Sequence, residues 1–91
     1  MKVTTKSGFK CDINENITKD WRLMVAIAEA QKDDPQVRIT AAIDMVRLIL
    51  GDNEQAFYKH LESKNPDHIV SEQDVTDDLK SIIDKIKNLK N

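Results

Sequence analysis

The residues of this chain that could do chemistry are few, and their spacing argues against most chemistries. His60 and His68 lie eight residues apart across a proline-containing break, with Glu62 and Asp67 near them. Imidazoles and carboxylates can ligate a metal, but a metal site needs three or four convergent ligands, and this spacing matches no zinc pattern. His60 reads instead as a surface residue near a helix end. Asp33-Asp34 and Asp77-Asp78 are adjacent carboxylates. Neighbours on a helix point about 100° apart, so neither pair is a preformed acid–base couple; both read as helix-terminus charge. Ser7, Ser63, Ser71 and Ser81 carry no nucleophile motif, and Gly8 and Gly51, the only glycines, cannot build a phosphate-cradling loop. Cys11 is the single cysteine, between Lys10 and Asp12. It has no intrachain disulfide partner, which points to a reducing compartment, and it reads as a small half-buried residue of a strand. The expectation is a protein that is not an enzyme and carries no cofactor and no metal.

The elements that must position these residues are mostly helical. A chain of 91 residues is one domain, 1–91, with 40% apolar and 33% charged residues; that balance suits a folded helical domain. The net charge is −2 with both signs interspersed, so no nucleic-acid footprint is visible. The basic tail Lys80, Lys85, Lys87 and Lys90 is partly balanced by Asp77, Asp78 and Asp84 and reads as the wet side of a helix. No apolar run approaches a membrane span and no leader peptide is visible, so the expected location is the cytoplasm, without membrane contact.

Residues 1–14 form an extended segment or short β-hairpin. Phe9, Cys11 and Ile13 alternate with Lys10 and Asp12, and Lys6-Ser7-Gly8 supplies the turn back to Val3-Thr4-Thr5. Residues 18–90 form a compact bundle of about four helices, so the fold class is mainly α. Thr18 is the expected N-cap of the first helix, with Asp20 in its first turn. Asp34 caps the second, and Pro35 takes its first position. Gly51 ends it, and Asp52 or Asn53 caps the third helix, which Asn65-Pro66-Asp67 closes. Ser71 caps the fourth, whose stripe Val75, Leu79, Ile82, Ile83, Ile86 and Leu89 has helical spacing. Asp44 and Arg47 are expected to pair across one turn of the second helix.

The aliphatic surplus of the second helix makes it either the central stave of a compact bundle or, in part, a surface that waits for another protein. Ile43, Met45, Val46, Leu48, Ile49 and Leu50 leave only a narrow polar strip at Arg38, Asp44 and Arg47. Trp21, the only tryptophan, has the position of a core anchor, and tryptophan is also enriched where proteins dock. The expected walls of a partner-binding groove are Trp21, Met24, Ile43, Val46, Leu50 and Phe57.

The order of breaks and helix entries resembles that of the small tail assembly chaperones of long, non-contractile-tailed bacteriophages. The resemblance spans about Ile13 to Ile86. It rests on the entry Asp20-Trp21 into Leu23-Met24-Val25-Ala26-Ile27-Ala28-Glu29-Ala30, on the acidic proline turn Asp33-Asp34-Pro35, and on Leu50-Gly51-Asp52-Asn53-Glu54-Gln55. Phe57, Tyr58 and Leu61 then fill a short helix, and Ile69-Val70-Ser71 opens the last one. It implies a helical, non-enzymatic protein that binds the tape-measure protein, helps recruit tail-tube subunits during virion tail assembly, and is absent from the mature virion. The alternative is a small helical regulatory or homo-oligomerisation module. Self-association would bury the aliphatic excess against a second copy, and helix–break–helix at Asp33–Pro35 would serve a DNA-binding regulator, although only Arg38 and Arg47 are basic on the would-be recognition helix.

Overall fold

The computed structural model describes residues 1–89. Lys90 of the expected basic tail and the Leu89 side chain of the expected stripe lie outside that description. Two strands, β1 (Lys2–Thr4) and β2 (Lys10–Asp12), form an antiparallel hairpin in which Val3 faces Cys11. Four α-helices follow: α1 (Trp21–Glu29), α2 (Pro35–Leu50), α3 (Glu54–Lys64) and α4 (Glu72–Leu89). A 3-10 turn precedes α1 at Glu15–Lys19, and another joins α2 to α3 at Gly51–Asn53. The molecule is thus mainly helical with a short N-terminal hairpin. The helices are unequal: α2, α3 and α4 have 16, 11 and 18 residues, and α1 has only 9. Where about four helices were expected, three longer helices, α2, α3 and α4, stand beside a short α1.

Local chemistry explains the breaks. Asp20 is extended (ψ 117°) and its carboxylate accepts from the Arg22 N–H at 2.9 Å, so Asp20 is the cap of α1 rather than a first-turn residue. Thr18, the expected cap, lies inside the preceding 3-10 turn, which Asn14 caps by accepting from the Asn16 N–H. The end of α1 tightens through bonds from Gln31 N–H to Ala28 O and from Lys32 N–H to Glu29 O. The ring of Pro35 then keeps Asp34 extended, and Asp34 caps α2 by accepting from Gln36 N–H at 2.9 Å. Gly51 stops α2 with φ 52° and ψ −121°, a backbone that residues with a Cβ rarely adopt. Asn53 sits before α3 but makes no capping hydrogen bond. Ser71 caps α4 by accepting from the Asp74 N–H at 3.1 Å.

The buried residues form one contiguous cluster. Val46, Phe57 and Ile82 have no exposed surface and Leu61 has 1%, so α2, α3 and α4 meet around these side chains. The hairpin lays Val3, Phe9 and Ile13 on the same core, and Phe9 meets Phe57 at a ring separation of 5.4 Å. Each such side chain contributes about 1.5–3 kcal/mol by leaving water. The hairpin needs this support, since two short strands alone are marginal in water.

Candidate functional site

Two places in this fold are candidates: a polar cluster under the hairpin turn and a groove between α1 and α2.

The polar cluster joins three elements. The Asp78 carboxylate, 1% exposed on α4, accepts from the Thr5 hydroxyl at 2.6 Å, the Ser7 N–H at 2.9 Å and the Ser7 hydroxyl at 2.5 Å. On the other side of the turn, His60 Nε2 lies 3.1 Å from both the Ser7 carbonyl and the Ser7 hydroxyl. A carbonyl can only accept, so Nε2 carries the proton, while the Ser7 hydroxyl proton goes to Asp78. His60 therefore has no free lone pair toward Ser7, and the carboxylate holds the serine rather than orienting the histidine. That is the reverse of a hydrolytic triad, in which the imidazole takes the serine proton. The arrangement pins the turn to α3 and α4. It corrects two expectations: Asp78 is a buried anchor in the middle of a helix rather than terminus charge, and His60 is a half-buried donor rather than a free surface residue. Neither role was visible locally, because the partners are more than fifty residues apart in the chain.

The groove lies between α1 and α2, which run antiparallel through the Ala30–Asp34 turn. Ala26 (4% exposed) and Ala41 (2%) lie at its base, and their small side chains let the helices approach closely. Above them the walls diverge into an open cleft of about 730 Å³, with Trp21 and Val25 on one side and Val37 and Leu48 on the other. Trp21 is 73% exposed and Val25 42%. The mouth carries Arg22, Glu29, Asp44 and Arg47. Arg22 is held by both oxygens of Asp20, at 3.0 and 2.7 Å, and this guanidinium holds the Asp20 carboxyl below its ordinary range. Arg47 reaches Glu54 at 3.6 Å rather than the expected Asp44, and Glu54 also accepts from the Tyr58 hydroxyl, which ties α2 to α3. Burial, reinforced by Glu54, raises the Tyr58 phenol above its ordinary value.

The six expected wall residues do not share this groove. Trp21 is on its rim and is no core anchor. Met24 is 45% exposed on α1 but lines no cleft with Trp21. Ile43, 39% exposed, borders a smaller cleft of about 200 Å³ toward Val70 and Val75, with Val46 at its floor. Val46, Leu50 and Phe57 are core residues, exposed by 0, 3 and 0%, and cannot be walls. α3 and α4 pack against α2 and take these side chains into the shared core. Val25, Val37 and Leu48 were the missed wall residues; the i, i+4 step from Trp21 to Val25 was their available signal.

A third cleft of about 600 Å³ runs between α1, α2 and α4 over Ile27, Met45 and Ile83, with Arg38 and Lys80 at its edge. Arg38 and Arg47 therefore open onto different clefts. Cys11 is half-buried, and burial together with the Asp12 charge raises its thiol above the ordinary value; it is a weak nucleophile in this state. Among the described residues no three His, Cys, Asp or Glu side chains converge as metal ligands, and no helix is long and apolar enough to cross a membrane.

Comparison with known proteins adds no identification: no family model, curated protein or solved structure matches the chain.

Proposed function

We propose that this protein is a non-catalytic chaperone that covers the apolar face of a partner helix with its α1–α2 groove. The observation that carries the reading is the pair Trp21 and Val25, large apolar side chains left exposed on the rim of an open apolar cleft. Trp21 is the most exposed large apolar side chain among the described residues, and it gains nothing intramolecularly from that placement. The mode of recognition is helix-in-groove. Nine residues of α1 span about 13 Å, so one groove covers about two to three turns of a partner helix. Such a short contact has modest affinity, which suits a chaperone that must release its client.

The phasing of helices and breaks from Ile13 to Ile86 supports, as the client, the tape-measure protein of a long-tailed phage, with tail-tube subunits recruited as the chaperone leaves. A tape measure is long and helical, and it exposes apolar faces until the tube encloses it. Many chaperone copies along it would together provide the solubility that no single short groove can.

The test is co-expression with tape-measure segments. Trp21→Ala and Val25→Asp are expected to keep the fold and abolish co-purification, while Met24→Ala, outside the groove, leaves it intact. Wild-type levels of capture by folded Val25→Asp would sink the groove assignment. A gene neighbourhood with no very long helical reading frame and no tail-tube gene would sink the choice of client.

A further inference from the structure

The hairpin has one covered edge and one open edge, and the open one is self-complementary. Thr5 N–H donates to Phe9 O, and Met1 and Ile13 exchange bonds between their main chains. By the alternation of an antiparallel ladder, Phe9, Cys11 and Ile13 turn their backbone groups toward β1. Lys10 and Asp12 therefore turn their N–H and C=O groups outward. On β1 the corresponding edge lies against α4, where the Lys85 ammonium reaches the Thr4 carbonyl. On β2, no hydrogen bond to the N–H or C=O of Lys10 or Asp12 occurs among the described residues.

We infer that this edge pairs antiparallel with β2 of a second copy, centred on Cys11, to make one four-stranded sheet from two hairpins. The sequence Lys10-Cys11-Asp12 suits a two-fold axis. With Cys11 opposite its symmetry mate, Lys10 of each copy stands opposite Asp12 of the other. These are the residues whose backbone groups are free, so about four inter-copy backbone bonds form in phase with the existing ladder. Their side chains share the exposed face of the sheet, where the exposed Lys10 has no ion-pair partner among the described residues. Asp12 is 69% exposed and holds the N-terminal ammonium through one oxygen at 2.8 Å, with Lys2 beside it in the ladder. A lysine on an edge ordinarily discourages strand addition; here an aspartate of the incoming strand meets it. The contact is small and the dimer is weak and reversible. It is separate from the α1–α2 groove, so each dimer would present two such grooves.

The register makes its own probe. Cys11 would oppose Cys11 in a non-hydrogen-bonded pair, where Cα atoms stand about 4.5 Å apart, inside the range that a disulfide spans. The full chain is oxidised mildly at slightly alkaline pH, because burial keeps the thiol protonated at neutrality. The rate of dimer cross-linking is compared with sedimentation velocity of the reduced protein. The wild type is expected to cross-link faster than the urea-unfolded chain and to sediment as a concentration-dependent dimer. Lys10→Glu and Asp12→Lys, each alone, place like charges opposite one another twice and are expected to slow cross-linking about tenfold or more. Mixed together, the two variants restore opposite charges and the wild-type rate. Circular dichroism checks that both variants are folded. A wild type that stays monomeric at high concentration overturns the inference. So does a dimer indifferent to either reversal, which would belong to another face, or a mixture of folded variants that fails to recover.

Discussion

Replacing Asp78 with alanine should cost this domain a large part of its stability, although among the described residues Asp78 makes no salt bridge. Its carboxylate accepts three hydrogen bonds from the hairpin turn, and the one from Thr5 is fully buried. Bonds to a charged group contribute about 1.5–3 kcal/mol each. They are not additive, because all three hold the same turn and water can reach the half-buried Ser7 once the carboxylate is gone. A loss of about 3–5 kcal/mol is expected, from the stranded Thr5 hydroxyl and the freed turn. A domain of this length has about 5–13 kcal/mol in total. At about 4–8 °C per kcal/mol, the melting temperature should fall by about 12–40 °C. Asp78→Asn keeps the volume and one acceptor oxygen, and a serine or threonine hydroxyl can turn to accept from the new amide, so about 1–2 kcal/mol is expected there. Urea and thermal unfolding followed by far-ultraviolet circular dichroism measure both. Hydrogen exchange gives the local signature: the Phe9 amide, which donates to the Thr5 hydroxyl, should lose protection before the amides of α2. An Asp78→Ala variant within about 0.5 kcal/mol of the wild type would refute the reasoning, and the turn would then be held by apolar packing of Phe9 alone.

Four further outcomes follow from the same structure. Val46→Asp puts a charge at a site with no exposure, so it should unfold the protein rather than selectively remove a partner contact, which a melting curve distinguishes from a binding assay. Gly51→Ala meets no atom within 4 Å but must hold φ 52° and ψ −121°; about 1–3 kcal/mol of purely conformational destabilisation is expected in urea titrations. Asp34→Ala removes the cap of α2 and should cost about 0.5–2 kcal/mol, with Asp34→Ser restoring most of it. The carboxyl pKa values of Asp20, lowered by Arg22, and of Asp74, lowered by the Asn65 amide and the Ser71 hydroxyl, lie below the ordinary 3.8. Because these folded values are lowered, their stabilising effect is present above 3.8 and is lost as pH falls through the folded values. Melting temperature against pH should therefore drop on the acid side of about pH 4, and Asp20→Asn and Asp74→Asn should each flatten that drop.

Much of the architecture was legible because its determinants are local. The turn at Lys6-Ser7-Gly8, the alternation of Phe9, Cys11 and Ile13, Asp34-Pro35, Gly51 and the Ser71 cap each act within a few residues. The helical stripe from Val75 to Ile86 names its own buried face. The misplaced start of α1 has a local cause too: Thr18 and Asp20 are both competent caps, and the intervening 3-10 turn decides for Asp20. The candidate site was legible only in part. Apolar spacing shows which side of a helix avoids water, but not how much of that side its neighbours cover. Val46, Leu50 and Phe57 thus looked like the same kind of surface as Trp21, and only packing separates them.

By itself the sequence determined the helical class, the hairpin, the order of the breaks and the poverty of catalytic motifs, since each depends on backbone preference or spacing over one or two turns. It also contained the charge order Lys10-Cys11-Asp12, whose significance depends on which edge is open. Tertiary structure decided the rest. It brought Thr5, Ser7, His60 and Asp78 together from three elements, it packed α3 and α4 against α2, and it left Trp21 and Val25 outside. Burial and long-range hydrogen bonds depend on where distant segments meet, and no periodicity within a single helix encodes that.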